Sequence, residues 1–142
     1  MAAPEPAPDL LRLPVLQYAW DAFGTRPEYL WEKYPGYAVL RRGDTRKWYG
    51  LVMEVPRARL KLPGPGAVWV LNVKCSPLMT GGLRRQEGIL PAYHMNKAAW
   101  LTVLLDGTLP LPQVTALLDL SHQLTGPGPK AAPRAKTGPA AP

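Results

Sequence analysis

YHMNKAAWLTVLLDG, residues Tyr93 to Gly107, is the stretch from which the fold can be read. Its second half is strongly apolar, with Trp100, Leu101, Val103, Leu104 and Leu105 closed by an Asp106-Gly107 turn, a pattern that predicts a buried central strand. Its first half sets His94, Asn96 and Lys97 directly before that strand, where a rigid core can hold side chains that still reach solvent, as binding sites require. Plain hydrogen bonding to the backbone of the entering loop would use the same residues.

On the C-terminal side, Pro112 opens a helix with Val114, Leu117, Leu118, Ser121 and Leu124 on one stripe. On the N-terminal side, Ser76-Pro77 is a helix start, a hydroxyl cap followed by proline in the first turn, with Leu78, Met79 and Leu83 expected to face inward. Before it, Ala67 to Lys74 reads as a largely buried strand after the Pro63-Gly64-Pro65-Gly66 turn. Tyr37 to Arg42 and Lys47 to Val55 form a hairpin around Gly43-Asp44-Thr45, and Glu28 to Tyr34 is a short edge strand or loop. Leu16, Ala19, Trp20 and Phe23 recur at helical spacing within Leu10 to Phe23, Gly24 stands at the C-terminal cap position, and Asp9 is a candidate N-cap. Pro14 makes the first turn irregular or marks its true beginning.

With 142 residues, 46% of them hydrophobic, the chain can close one real core. Residues 1–9 are a loose N-terminus, 10–125 the domain, and 126–142 a disordered basic tail rich in Pro, Ala and Gly. A formal charge of +7 favours polyanionic partners, nucleic acid first among them. The single Cys75 can form no internal disulfide, no secretory leader is evident, and no apolar run is long enough to span a membrane, so a cytoplasmic protein is expected.

Several runs resemble those of one known family. They are Tyr34-Pro35-Gly36 before the first hairpin strand, Lys47-Trp48-Tyr49 leading an apolar strand, Pro91-Ala92-Tyr93-His94-Met95-Asn96-Lys97 running into Trp100, and the closing Leu118 to Leu124 helix with Ser121. Together, over roughly residues 10 to 125, the chain resembles the MmcQ/YjbR family, small bacterial proteins described as predicted DNA-binding proteins with a double-wing motif. The His-Met-Asn-Lys-x-x-Trp run is the most specific part, giving His94, Asn96, Lys97 and Trp100 as family-motif residues. Two positions depart from the family pattern: His122 stands where Tyr tends to follow the Ser, and Ala99 where a second His often precedes the Trp. The resemblance implies an α+β domain, an antiparallel sheet packed on one side by the N- and C-terminal helices, similar to secretion-chaperone and frataxin-like layouts. Runs of strands without βαβ alternation point to the same layering.

No catalytic residue, metal site or cofactor is expected. Ser76 and Ser121 read as a cap and a packed helix position, Cys75 as a buried thiol, and two histidines without clustered acids do not make a zinc site. The basic residues are better organised. Arg41, Arg42, Arg46, Lys47, Arg57, Arg59 and Lys61 fall within one fifth of the chain against only Asp44 and Glu54. If Arg57 to Leu62 were extended, its three cations would share one face about 6.6 Å apart, able to track a phosphate backbone beside Trp48. A solvated strand edge would carry the same charges.

Non-enzymatic nucleic-acid binding, to DNA by the family likeness, through a basic hairpin and an adjacent basic strand is therefore the first expectation. A protein-interaction or chaperone-like module, using an exposed sheet face or dimer groove, is the second, and a small-ligand or enzyme site around His94, Asn96 and Lys97 the third. A continuous basic face, an exposed apolar patch and a concave pocket at His94 would mark them respectively.

Overall fold

A computed structural model describes residues 7–128. The expectations for residues 1–9 and 126–142 as loose segments fall almost wholly outside that range. The elements are α1 (Arg12–Phe23), β1 (Ala38–Arg41), β2 (Trp48–Pro56), β3 (Ala67–Lys74), α2 (Pro77–Leu83), β4 (Ile89–Pro91), β5 (Trp100–Leu104) and α3 (Leu111–Leu124). The five strands form one antiparallel sheet in the order β1-β2-β3-β5-β4, so the fold is α+β as expected.

The middle of this sheet is β3 and not the Trp100 strand, and Trp100 itself is only half-buried, with the Lys74 ammonium 6.0 Å from its ring centroid. A truncation there should therefore cost less than that of a fully buried tryptophan. Leu101 to Leu104 carry the burial on both faces, with Leu101 and Val103 in one apolar cluster and Leu104 in the other. β4 had no sequence signal, being three residues long and ending in Pro91.

One sheet face is covered by α1 and α3. Val15, Ala19, Val114, Leu117 and Leu118 pack there onto Leu40, Tyr49, Val52, Leu71 and Val73. The Tyr18 hydroxyl donates to the Asp119 carboxylate at 2.6 Å, joining the two helices. Pro14 lies in the first turn of α1, where the missing N–H breaks no helical bond, and Gly24 caps the end in the left-handed region (φ 65°) with its N–H on the Trp20 carbonyl. Asp9 is no cap: its carboxylate lies 4.0 Å from Arg12, and Leu11 occupies the cap position without a side-chain bond.

In all three helices the apolar stripe is not buried throughout, for one reason. Trp20 in α1, Leu78 and Met79 in α2, and Leu124 in α3 are exposed, Leu78 to 96%. The face each helix buries is narrower than the apolar stripe in its sequence, and in the two-turn α2 it reduces to Thr80 with Leu83 half-buried. Ser76 caps α2 as expected, accepting the Leu78 N–H at 3.3 Å.

The opposite face of the sheet carries no α-helix among the described residues. Val39, Leu51, Met53, Val55, Val68, Val70 and Leu104 form a second apolar cluster there, roofed by loop side chains including Trp31, Tyr37, Leu60, Leu62 and Tyr93. Glu28 forms a bridge to the outer side of β1 through two bonds with Val39, at 2.9 and 2.8 Å. No helix among the described residues is long and apolar enough to cross a membrane.

Candidate functional site

The basic segment does not form a row. Arg57–Leu60 is a 3-10 turn instead of a strand, the Arg57 guanidinium donates to the Pro63 carbonyl at 2.7 Å, and Lys61 turns away in the left-handed region (φ 59°). Pro56 ends β2, and the chain then folds back so that the Arg57 N–H meets the Gly66 carbonyl at 2.9 Å while Leu60 and Leu62 drop onto the open-face cluster. A charge-apolar alternation that fits a strand also fits a turn in which Leu60 and Leu62 are partly buried while Ala58 stays exposed.

The hairpin cations divide into two sets. Arg41 is held by the Glu28 carboxylate at 3.0 Å, and Arg42 makes a two-pronged pair with Asp44 at 2.8 Å while donating to the His122 carbonyl at 2.6 Å. These are spent on structure. Arg46 reaches Glu28 only at 3.6 Å with its side chain 62% exposed, and Lys47, Arg59 and Lys61 are exposed with no ion pair among the described residues.

The family-motif residues also divide. Asn96 accepts the Ala98 N–H at 2.8 Å, a bond that shapes the loop, and Lys97 is exposed. His94 is different. It is exposed and sits in the left-handed region (φ 63°), a conformation costly for a residue with a β-carbon. What holds it there lies one residue earlier: the Tyr93 N–H donates to the Thr102 hydroxyl at 2.8 Å, the Tyr93 carbonyl accepts from the Asn72 amide at 2.9 Å, and Thr102 donates to Asn72 at 2.6 Å. Asn72 and Thr102 are fully buried partners on β3 and β5, so this closed polar network pins the loop over the helix-free face.

That loop forms one wall of a hollow of about 570 Å³. Its floor is Leu51 and Met53 on β2, with Trp48 at one end and Pro56 and Ala67 at the other. Trp31, Tyr34 and Tyr37 form a second wall, Arg59 on the 3-10 turn and the exposed Glu54 on β2 are its two charged residues, and Tyr93, His94 and Met95 close it. The rings are mutually braced. Tyr34 stacks on Tyr37 with centroids 4.7 Å apart, Trp31 meets both Tyr37 and Trp48 edge-on at 6.0 Å, and the Tyr37 hydroxyl donates to the Glu54 carbonyl at 2.8 Å. The volume lies within the range of about 300–1,000 Å³ typical of ligand sites.

A family model described as YjbR matches residues 21–124. The chain belongs to the YjbR family. Among relatives, it is 42% identical over 116 residues to the uncharacterized protein YyaQ of Bacillus subtilis (strain 168), covering 82% of this chain and 98% of that one. It is 44% identical over 54 residues to the uncharacterized protein YjbR of Escherichia coli (strain K12), covering 37% and 46%. A crystal structure of a Pseudomonas syringae protein superposes with a TM-score of 0.79 at 43% identity, covering 81% of this chain and 98% of that one. A Deinococcus radiodurans protein with a DUF419 domain follows at 0.61 and 25%, covering 89% and 84%. None of these names states an activity.

In this YjbR-family chain the sequence-predicted Trp48, Arg59 and His94 meet in the hollow, while Asn96, Lys97, Arg57 and Lys61 are not among its lining residues. Trp31, Tyr37, Tyr93 and Met95 were not foreseen as site residues. The signal for the first two was the aromatic density from Tyr29 to Tyr37, since a loop seldom carries four rings that have nothing to pack against.

His122, the departure from the family pattern, lies outside the hollow. Its ring stacks on Phe23 with centroids 3.8 Å apart, and its Nδ1 lies 2.8 Å from the Arg42 guanidinium. Arginine can only donate, so Nδ1 must carry its lone pair and the ring is neutral. Burial first, and Arg42 second, lower the His122 pKa, against the weaker opposing pull of Asp44 and Asp119. With the folded value below the unfolded one, the unfolded chain binds the extra proton as pH falls. The stabilisation is complete above about pH 6.5 and is lost as the pH drops toward the folded value. The thermal midpoint of the protein is therefore expected to fall more between about pH 7 and pH 5 than that of His122→Gln, and parallel profiles would overturn this.

Proposed function

We propose that the protein is a non-enzymatic nucleic-acid-binding domain that uses the helix-free sheet face. The observation that carries this is the meeting of aromatic rings and exposed cations: Trp48 follows Arg46 and Lys47 directly, and Arg59 stands in the wall of the same hollow. The chain's excess of positive charge draws a polyanion, and contacts to phosphate supply most of the affinity in such binding. The expected contacts are Arg46, Lys47, Arg59 and Lys61, with Arg41, Arg42 and Arg57 shaping the surface that presents them.

The state of the nucleophiles supports the non-enzymatic part. Ser76 and Ser121 are engaged with backbone groups, and burial raises the pKa of the Cys75 thiol, keeping it in its less reactive form.

Changing Lys47, Arg59 and Lys61 to Gln is expected to leave the fold intact and to flatten the plot of log affinity against log salt by about 2 to 2.7. Removing Lys130, Arg134 and Lys136 subtracts the same charge and should flatten it clearly less. Equal effects, or binding of the unmodified protein weaker than about 0.1 mM at physiological salt, would overturn the proposal.

A second reading, a protein-interaction module, is favoured by one observation. Met79, Leu120 and Leu124 are exposed and line a shallow groove between α2 and α3, on the side away from the hollow. Sedimentation of the protein over a wide concentration range tests it for self-association.

A further inference from the structure

The shape of the hollow says more than that it is a surface for phosphates. Its walls are rings, its floor is apolar, and one cation, Arg59, and one carboxylate, Glu54, line it, so it suits a flat, apolar-faced group that offers an anion to Arg59 and an N–H donor to Glu54, as a nucleotide does. A purely cationic occupant, for which braced aromatic walls are otherwise suited, would find Glu54 but also meet Arg59 and the positive excess of the hairpin, and it would leave Arg59 without a partner. A base inside a duplex has both faces stacked already and cannot enter.

We infer that the hollow is a nucleotide pocket, taking one unpaired base against the Tyr34-Tyr37 and Tyr93-His94 rings with its phosphate on Arg59. This deepens the nucleic-acid reading above and rests on it. His94 supplies the second, independent sign. A non-glycine residue held at positive φ persists only where its surroundings over-determine it, and such strain gathers at binding sites. Here two fully buried side chains, Asn72 and Thr102, are committed to the Tyr93 main chain. Their effect is to set the His94 ring, 4.0 Å from the Tyr93 ring, at the rim of the hollow. The same chemistry is presented by a free nucleotide and by an unpaired residue within a single strand.

The experiment follows a short labelled oligodeoxyadenylate by fluorescence anisotropy, with unlabelled AMP and the matching duplex as competitors. The single strand is expected to bind more tightly than the duplex. Tyr34→Ala, which removes a half-exposed ring, should weaken single-strand binding about 5- to 150-fold, the size of one base-aromatic stack. Arg59→Gln should weaken it as well, and keeps the test open if the Tyr34 variant misfolds. His94→Gly relieves the positive-φ strain, so it should hold or raise the thermal midpoint while lowering affinity, a split that a merely structural histidine would not show.

Competition by AMP identifies a free nucleotide as sufficient, and binding of the strand without such competition identifies the unpaired residue in a chain as the occupant. Duplex binding as tight as single-strand binding, with Tyr34→Ala and Arg59→Gln indistinguishable from the unmodified protein, overturns the pocket and leaves the domain a duplex binder. Failure to bind strand, duplex and AMP alike overturns the pocket and the nucleic-acid reading together.

Discussion

Ser121→Ala is expected to destabilise the fold by about 2 to 6 kcal/mol, far beyond what the loss of one oxygen atom suggests. The Ser121 hydroxyl is fully buried, donates to the Tyr49 carbonyl at 2.6 Å and accepts the Lys74 N–H at 2.8 Å. Tyr49 and Lys74 lie just past Gly50 and Val73, the last paired residues of β2 and β3 at this end. The hydroxyl thus stands in for the next rung of the ladder, bridging two backbone groups that part as the strands diverge. Alanine would leave a buried donor and a buried acceptor unmade at once, at about 1–3 kcal/mol each. Urea denaturation measures the loss, and faster hydrogen exchange of the Lys74 amide would localise it. A loss under about 1 kcal/mol would mean that the two backbone groups can re-pair without the serine.

Thr102→Val is expected to cost about 2 to 4 kcal/mol although it conserves shape, because the Tyr93 N–H and the Asn72 carbonyl oxygen both lose their partner. It should also reach the surface. With Tyr93 unpinned, the loop through His94 is free to relax from positive φ, so hydrogen exchange should quicken from Tyr93 to Lys97 and oligonucleotide affinity should fall. Leu118→Ala is the companion variant: it empties a fully buried site on the other sheet face, at a similar cost of about 2–5 kcal/mol, and should leave affinity unchanged in the protein that remains folded. Equal affinity losses in the two variants would show that the loop has no particular link to binding.

These two positions also show how unevenly the fold was legible. The Ala67–Lys74 strand, the hairpin, the Ser76-Pro77 helix start and the Gly24 stop depend on neighbours in sequence, and local patterns found them. Ser121 was recognised as packed, but its two hydrogen bonds, to β2 and to β3, join residues 72 and 47 positions away. Asn72 and Thr102 passed as ordinary strand positions for the same reason. The errors had local causes. Five alternating residues from Arg57 to Lys61 satisfy a strand period and a 3-10 turn equally, and Pro56 with the following Pro-Gly turn selected the second. The hollow draws its walls from four separate segments, so only the aromatic cluster before β1 hinted at it.

The two borders of the sheet have a consequence for how the protein behaves in concentrated solution. On one side Glu28 already occupies Val39 of β1, and on the other β4 offers three residues, the last of them a proline without an N–H. Neither border presents the long row of open backbone groups that templates strand addition between molecules. Among the described residues, intermolecular cross-β growth therefore finds only short, interrupted edges, which disfavours fibril seeding by a chain rich in β-forming apolar residues when it is crowded.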